Sequence, residues 1–346
     1  MKCKYLEHQT CIRSDGQYRL CCTSLEPENK ETIHTHTPQE WHDSNFHVGV
    51  RAKLEQNVWP AACDPCRNLE EKGIQSQRQK PRPYGPGLSH FDLRFGNSCN
   101  LKCISCWEMS SSSIAEEAIE VQKAGIQPLY GILEFPNFNW ASEETFKKIE
   151  TCDVKEVYLT GGEPMMVRHL PEFLERLDSS VELRFNTNCT IWNPKLEKIL
   201  RRFDRVLMAL SLDAVDKRID YIRYGSDWNT INENAHRYAN FCKVDLTPTI
   251  SVLNAHFTND IEEYADKNNF GYYENILNTP NWLNCKNAPQ SLKDQYQSNS
   301  VKKWSIDPAD EKAIEYFKFK ISALDNWRNV SIKDYLPEVA KAYGLN

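Results

Sequence analysis

Between about residues 89 and 278, short apolar stretches alternate with longer amphipathic stretches. Phe91, Leu93 and Phe95 occupy every second position, as in a strand with one buried face. Leu170, Phe173 and Leu177 instead recur at the spacing of one helical face. The same patterns predict further strands at 155–160, 181–185, 205–212, 244–252 and 271–277, and helices at 113–125, 143–149, 170–177, 194–203, 228–241 and 261–267. This alternation predicts an α/β fold with a parallel sheet.

The segments on either side of this region have different patterns. Residues 70–88 are polar and rich in proline and glycine, which is typical of a linker. Beyond residue 285, helical patterns cover 308–324 and 332–343, and they carry no recognisable chemistry. We therefore predict a small cysteine-rich domain with its linker at 1–88, an α/β domain at 89–284 and a helical tail at 285–346. Residues 126–150 are interrupted by proline and asparagine and are interpreted as an insertion ending in a short helix.

Composition and charge argue against membrane-spanning, secreted and nucleic-acid-binding proteins. The longest run of purely apolar residues is Val206 to Leu210, whereas a membrane helix needs roughly 20 residues. The amino terminus lacks the apolar stretch of a signal peptide, so we predict a cytoplasmic protein without a membrane partner. A formal net charge of −6 makes nucleic acid an unfavourable partner.

The number and spacing of the cysteines are the strongest indication of this protein's chemistry. Nine of the 13 cysteines precede residue 107, and in a reducing compartment they favour metal or redox chemistry over disulfides. Cys99, Cys103 and Cys106 form a C-x3-C-x2-C loop directly after the first predicted strand of the α/β region. A structural zinc site needs four protein ligands, so three thiolates favour an iron–sulfur cluster with one iron left open. The alternative is three incidental buried cysteines.

The segment CNLKCISC resembles the signature of the radical S-adenosylmethionine (SAM) enzymes. This resemblance implies a partial (β/α)6 TIM-like barrel, in which the three cysteines hold a [4Fe-4S] cluster whose fourth iron binds SAM. It also implies an electron donor such as flavodoxin or ferredoxin. Many members have an aromatic residue just before the third cysteine. This chain has Ser105 there and Trp107 just after that cysteine.

Other segments match the same family in order along the chain. A Gly-Gly-Glu-Pro turn follows the predicted strand 155–160, and polar residues end the next two strands. The resemblance implies that the turn binds the SAM amino group, that the strand-end residues reach its ribose and that an arginine contacts its carboxylate. The alternatives are ordinary turns, polar caps and a solvated arginine. The implied SAM-binding residues are Gly161, Gly162, Glu163, Pro164, Asn188, Ser211, Asp213 and Arg223.

The amino-terminal cysteines form a second group. Cys3, Cys21, Cys63 and Cys66, with Gly16 between the first two, resemble the Twitch module, a shortened form of the SPASM auxiliary-cluster module. The resemblance implies one auxiliary [4Fe-4S] cluster, although the module usually follows the barrel and here precedes it. We choose Cys3 and Cys21 over the neighbouring pair Cys11 and Cys22 because of their spacing to Gly16. The alternative is a structural zinc site, with His34 or His36 exchanging in.

Together these features predict an enzyme that reductively cleaves SAM to a 5′-deoxyadenosyl radical, which abstracts hydrogen from substrate. Family members with Twitch or SPASM modules often modify peptides or protein side chains, and we expect oxidation or cross-linking of that kind. A small-molecule substrate and a non-catalytic zinc-binding scaffold are the alternatives. A methyltransferase is disfavoured because no G-x-G-x-x-G fingerprint is present. Cys189 is a candidate hydrogen-atom donor, for which the alternative is a buried structural thiol.

Overall fold

The computed structural model describes residues 1–25, 30–81, 84–126, 130 and 138–345. Part of the predicted insertion at 126–150 and two residues of the linker lie outside these ranges. The strands are β1 Gln9–Ile12, β2 Tyr18–Arg19, β3 His90–Phe95, β4 Lys102–Cys103, β5 Glu156–Gly161, β6 Glu182–Thr187, β7 Arg205–Leu210, β8 Arg223–Tyr224, β9 Lys243–Leu246, β10 Thr249–Ile250, β11 Gly271–Tyr272 and β12 Asn275–Ile276.

Helices follow most of these strands along the chain. They are α1 Lys4–His8, α2 Pro38–His42, α3 Asn45–Glu55, α4 Asp64–Glu70, α5 Ser112–Lys123, α6 Glu143–Lys147, α7 Leu170–Glu175, α8 Pro194–Leu200, α9 Arg218–Ile222, α10 Trp228–Ala239, α11 Thr258–Lys267, α12 Gln290–Lys293, α13 Asn299–Trp304, α14 Glu311–Arg328, α15 Ile332–Tyr335 and α16 Pro337–Tyr343. None of the described helices is both long enough and apolar enough to cross a membrane.

The main sheet has eight strands in the order β11-β9-β7-β6-β5-β3-β1-β2. The pairs β1/β3, β3/β5, β5/β6 and β9/β11 are parallel, and β2 is antiparallel to β1. This confirms the predicted α/β class with a parallel sheet. The amino-terminal segment contributes strands of its own, because β1 pairs directly with β3 in register from Gln9↔His90 to Ile12↔Leu93.

By the density of its contacts the chain divides into two compact units. The first comprises Met1–Ser98, Asn137–Asn186 and Asn193–Leu207, and the second comprises Cys99–Pro136, Thr187–Trp192 and Met208–Asn346. These units are defined by contacts, and the domain boundaries after residues 88 and 284 stay predictions.

Aromatic side chains between sheet and helices stabilise the first unit. Phe95 on β3 packs edge-on against Phe146 of α6, with ring centroids 5.4 Å apart. Phe146 in turn stacks on Phe173 of α7 at 4.8 Å. All three rings are almost fully buried, so the odd-numbered residues of β3 face the helices, as the alternation predicts.

Two predicted strands are wrong as continuous elements. The segment 244–252 divides into β9 and β10 around Pro248, which has no N–H to donate to the ladder. The segment 271–277 divides into β11 and β12, and the halves pair separately, β11 with β9 and β12 with β10. The predicted helix 332–343 also divides, because Pro337 begins a new helix after Leu336.

The other predicted helices are present with shifted ends. The helix after the cysteine loop begins at Ser112 and is capped by Ser111, whose side chain accepts a hydrogen bond from the Ile114 N–H. The Ser113 side chain, at the position where the predicted helix 113–125 begins, donates to the Cys99 carbonyl. The tail helix predicted at 308–324 is α14, which begins and ends a few residues later.

Candidate functional site

The three cysteines of the C-x3-C-x2-C loop lie in the second unit, where hydrogen bonds at several points fix the loop. The Cys99 carbonyl accepts from the hydroxyls of Ser112 and Ser113, at 3.2 and 2.7 Å. Cys103 lies on β4, which pairs antiparallel with β8 so that Cys103 is opposite Arg223. The Cys106 N–H donates to the Cys103 carbonyl at 3.1 Å. The nearby thiols of Cys99 and Cys106 both raise the pKa of Cys103, and the three cysteines would be the ligands of a cluster held by this loop.

A buried ion pair lies beside this loop. Arg223 Nε is 2.8 Å from Oδ2 of Asp213, a fully buried carboxylate that also accepts a hydrogen bond from the Thr249 N–H at 2.7 Å. Arg223 Nη1 lies 4.0 Å from the Cys103 sulfur. Burial raises the pKa of Cys103 to about 12, and the guanidinium opposes that rise. Arg223 therefore favours the thiolate, the form that binds iron.

Asn188 is the strand-end residue nearest the cysteine loop. Its side-chain nitrogen donates to Oδ1 of Asn100 at 3.0 Å and lies 4.0 Å from the Cys99 sulfur. Ser211 follows β7 and is partly exposed, and its N–H donates to the Thr187 carbonyl at 2.9 Å. The second unit thus brings Asn188, Asp213 and Arg223 to the loop.

The Gly161–Pro164 turn lies in the first unit, at the carboxyl end of β5. Gly161 has φ +129°, and a Cβ there would lie 2.6 Å from the Phe95 nitrogen. A Cβ on Gly162 would lie 2.2 Å from the Ser98 carbonyl oxygen. That same carbonyl accepts a hydrogen bond from the Glu163 N–H at 2.7 Å. The backbone of the turn lies directly against the end of β3 and the residues that follow it. Only glycine fits at these two positions, because a Cβ would collide with that backbone.

Four amino-terminal thiols line one cavity within the first unit. They are Cys3, Cys21, Cys63 and Cys66. Burial raises the pKa of Cys3 to about 11 and that of Cys63 to about 12, and each thiol lies in the field of the others. In the described ranges no three His, Cys, Asp or Glu side chains are arranged to hold a single metal ion. The cavity is lined by the four cysteines chosen from the spacing.

The two cysteines that the spacing argument rejected lie outside the lining of this cavity. Cys11 is fully buried on β1, opposite Asp92 in the strand register. Cys22 lies 3.9 Å from the side-chain nitrogen of Gln77. Of the adjacent residues Cys21 and Cys22, only Cys21 lines the cavity.

A family model described as the radical SAM superfamily matches residues 93–267. The chain belongs to the radical SAM superfamily. The match includes the cysteine loop, the Gly161–Pro164 turn and every implied SAM-binding residue. Membership implies a [4Fe-4S] cluster and SAM. In the second unit Cys99, Cys103 and Cys106 fit that cluster, since their thiols are grouped and a guanidinium favours their ionised form.

Two curated relatives are both named probable GTP 3′,8-cyclase. The protein from Archaeoglobus fulgidus is 24% identical over 189 residues, which cover 54% of this chain and 56% of the relative. The protein from Methanocella arvoryzae is 30% identical over 139 residues, which cover 39% of this chain and 37% of the relative. The chain thus spans about half the length, or less, of these relatives.

Among solved structures, Streptococcus suis SuiB bound to precursor peptide SuiA is similar to this radical SAM chain at 13% identity. That alignment covers 88% of this chain and 55% of SuiB, with a TM-score of 0.39.

Cys189, the proposed hydrogen-atom donor, is placed against α10 in this radical SAM chain. Its backbone has φ +62° and its side chain is almost fully buried. The sulfur lies 3.7 Å from the Ile231 carbonyl oxygen, and the Cys189 carbonyl accepts from the Asn234 side chain at 2.9 Å. These contacts favour the structural alternative for this thiol.

Sequence reasoning missed the residues that support the site residues. The Thr249 N–H donates to Asp213, and the Asn100 side chain accepts a hydrogen bond from Asn188, but neither residue type by itself indicates such a role. Asn100 follows Cys99 directly, so its place inside the cysteine loop was the available signal. No comparable signal marks Thr249, because its contact with Asp213 joins residues 36 positions apart.

Proposed function

We propose that this radical SAM enzyme abstracts a hydrogen atom from a side chain of a peptide or protein and oxidises or cross-links it, with an auxiliary cluster accepting the electron of the resulting radical as a proton leaves. SAM bound to the reduced cluster supplies a 5′-deoxyadenosyl radical on cleavage. The observation that carries the peptide assignment is the single cavity lined by Cys3, Cys21, Cys63 and Cys66. Four thiols in one place fit an auxiliary [4Fe-4S] cluster, and the Twitch-type modules they resemble often accompany peptide modification.

The chain's own residues have distinct roles in this proposal. Cys99, Cys103 and Cys106 hold the SAM-binding cluster, while the Gly161–Pro164 turn binds the SAM amino group. Asp213 fixes Arg223 beside Cys103, so that the guanidinium holds negative charge at the cluster or on the SAM carboxylate. Asn188 and Ser211 contact the ribose. A flavodoxin or ferredoxin supplies the electron.

A small-molecule substrate is the second candidate function. The observation that favours it is that both curated relatives are named probable GTP 3′,8-cyclase. On this alternative the substrate would be a purine nucleotide.

The auxiliary cluster gives a direct prediction. In anaerobically reconstituted protein, the double variant Cys63→Ala with Cys66→Ala should contain roughly half the iron and sulfide of the unchanged protein, since the two clusters have separate ligands. The matched control is Cys22→Ala, which removes a thiol outside the cavity lining and should leave both contents unchanged. Stoichiometric zinc in the unchanged protein, lost in the double variant, would contradict the auxiliary cluster and leave the SAM-binding cluster in place.

The substrate class is tested by co-expression with short open reading frames encoded beside the gene. Intact-mass analysis of the recovered peptides should show a loss of about two mass units per event, because two hydrogens leave on oxidation or cross-linking. Co-expression with the Cys99→Ala variant supplies the inactive control. An unaltered mass with deuterium uptake from solvent would indicate epimerisation instead. If GTP stimulates 5′-deoxyadenosine formation above background and no peptide is altered, the peptide proposal is wrong.

A further inference from the structure

The four strands β1, β3, β5 and β6 of the first unit have one apolar and one polar face. Phe91, Leu93 and Phe95 face the helices, and Val157 and Leu159 continue the same buried face on β5. The opposite face contains only polar residues and one cysteine: Gln9 and Cys11 on β1, His90, Asp92 and Arg94 on β3, Glu156, Tyr158 and Thr160 on β5, and Glu182, Arg184 and Asn186 on β6.

The strand register aligns these polar residues in rows across the sheet. One row is Cys11, Asp92, Tyr158 and Arg184, each opposite the next in the ladder. The row toward the amino ends contains Glu156 opposite Glu182, and the row toward the carboxyl ends pairs Arg94 with Thr160. The amino-end row therefore carries two acids, whereas the two rows nearest the Gly161–Pro164 turn present both arginines and two hydroxyl groups, with Asp92 and Cys11 beside them.

Each of the two arginines forms an ion pair with an acid, but the acid does not satisfy all of its N–H donors. Arg94 Nε is 3.6 Å from Oδ1 of Asp92, and Arg184 Nη1 is 3.9 Å from Oε1 of Glu156. Both distances are ion-pair contacts beyond good hydrogen-bond length. Among the described residues, Nε of Arg94 and Nε of Arg184 have no hydrogen-bond partner. A buried guanidinium N–H without an acceptor is costly, and an anion bound over this face of the sheet would remove that cost.

Side-chain exposure distinguishes the two arginines from Asp92. The side chains of Arg94 and Arg184 are 30% and 37% exposed, whereas that of Asp92 is 3% exposed. Burial, together with the nearby Asp92 carboxylate, raises the pKa of Tyr158 to about 12, so its phenol stays protonated and able to donate. A molecule approaching this face therefore meets two cations and a phenol, while Asp92 lies below them.

We propose that Arg94 and Arg184 bind a carboxylate of the substrate, and that the substrate peptide therefore carries an acidic side chain. This inference deepens the proposed function and rests on it, since it identifies the substrate as an acidic peptide. Guanidinium groups match carboxylates in planar, charge-assisted hydrogen bonds, which gives both affinity and orientation. Tyr158, between the two arginines in the sheet order, is placed to donate a further hydrogen bond.

The test measures binding of two small probes to the reconstituted holoenzyme with SAM. The probes are N-acetyl-glutamate N-methylamide and the matched glutamine compound, which differ only in the charged carboxylate, and saturation-transfer NMR titration gives each dissociation constant. The acidic probe should bind about tenfold or more tightly than the amide probe, as charge-assisted hydrogen bonds indicate. Arg184→Gln should abolish this preference, and Arg184→Lys should keep part of it because the charge remains.

The matched control is Arg201→Gln, which removes an exposed arginine paired with Glu197 on α8 of the same unit and should leave the preference unchanged. Equal binding of both probes, binding of neither, or an acid preference that survives in Arg184→Gln with native iron content would overturn the proposal. Binding of GTP lost in Arg184→Gln, without binding of the acidic probe, would also overturn it. These binding results are independent of the test of the proposed function, which is contradicted when no co-expressed peptide changes mass.

Discussion

Cys103→Ala should abolish reductive cleavage of SAM, with 5′-deoxyadenosine formation falling to the background of protein without iron. Two thiolates, Cys99 and Cys106, cannot hold the cluster that binds SAM. The change also removes the sulfur that lies 4.0 Å from Arg223 Nη1, so the guanidinium loses its neighbour while its buried partner Asp213 remains. The measurement is chromatographic quantification of 5′-deoxyadenosine after reduction with dithionite, together with iron content.

Cys152→Ala is the matched control for that experiment, because Cys152 is exposed and belongs to neither cysteine group. Its iron content and SAM cleavage should equal those of the unchanged protein. Cleavage that persists in Cys103→Ala at the level of the control would show that the loop does not hold the reactive cluster. The N-terminal cysteines would then be the remaining candidates for that role.

The cysteine loop could be predicted from sequence because its ligands are local. Three thiols within eight residues need no long-range pairing to come together, and the strand and helix around them are visible as apolar patterns. The α/β class follows from the same alternation. Ser111 shows the limit of such reasoning, since several consecutive serines could cap α5 and only the structure distinguishes them.

Features that depend on register could not be predicted from sequence. Alternation in β3 indicates one apolar and one polar face, but a polar face is equally typical of a strand in contact with water. Only the pairing of β3 with β5 and of β5 with β6 aligns Asp92 with Tyr158 and Arg184 across the sheet. The broken strand at Pro248 was foreseeable as a weak point, but the separate pairing of its two halves was not.

The carboxyl-terminal tail carries an interaction that no local pattern reveals. Arg328, at the end of α14, donates from Nε and Nη2 to both carboxylate oxygens of Glu117 on α5, at 3.0 and 2.8 Å. The Tyr130 hydroxyl donates to the same carboxylate at 2.8 Å. The side chains of Glu117 and Arg328 are 1% and 4% exposed. Because α5 directly follows the cysteine loop, this bidentate pair anchors the tail to the helix that positions Cys99.

Glu117→Gln should lower the free energy of unfolding by about 3–5 kcal/mol, because it leaves the Arg328 guanidinium buried without its counter-charge. Thermal and urea-induced unfolding, followed by circular dichroism on the same protein preparation, measures this loss. Glu315→Gln is the matched control on α14, where the exposed pair with Lys318 should contribute less than about 1 kcal/mol. The double variant Glu117→Leu with Arg328→Met should recover most of the stability, since replacing both charges removes the desolvation cost that one unpaired charge retains. A double variant as unstable as Glu117→Gln would contradict this account and would place the stabilising effect in the bidentate geometry itself.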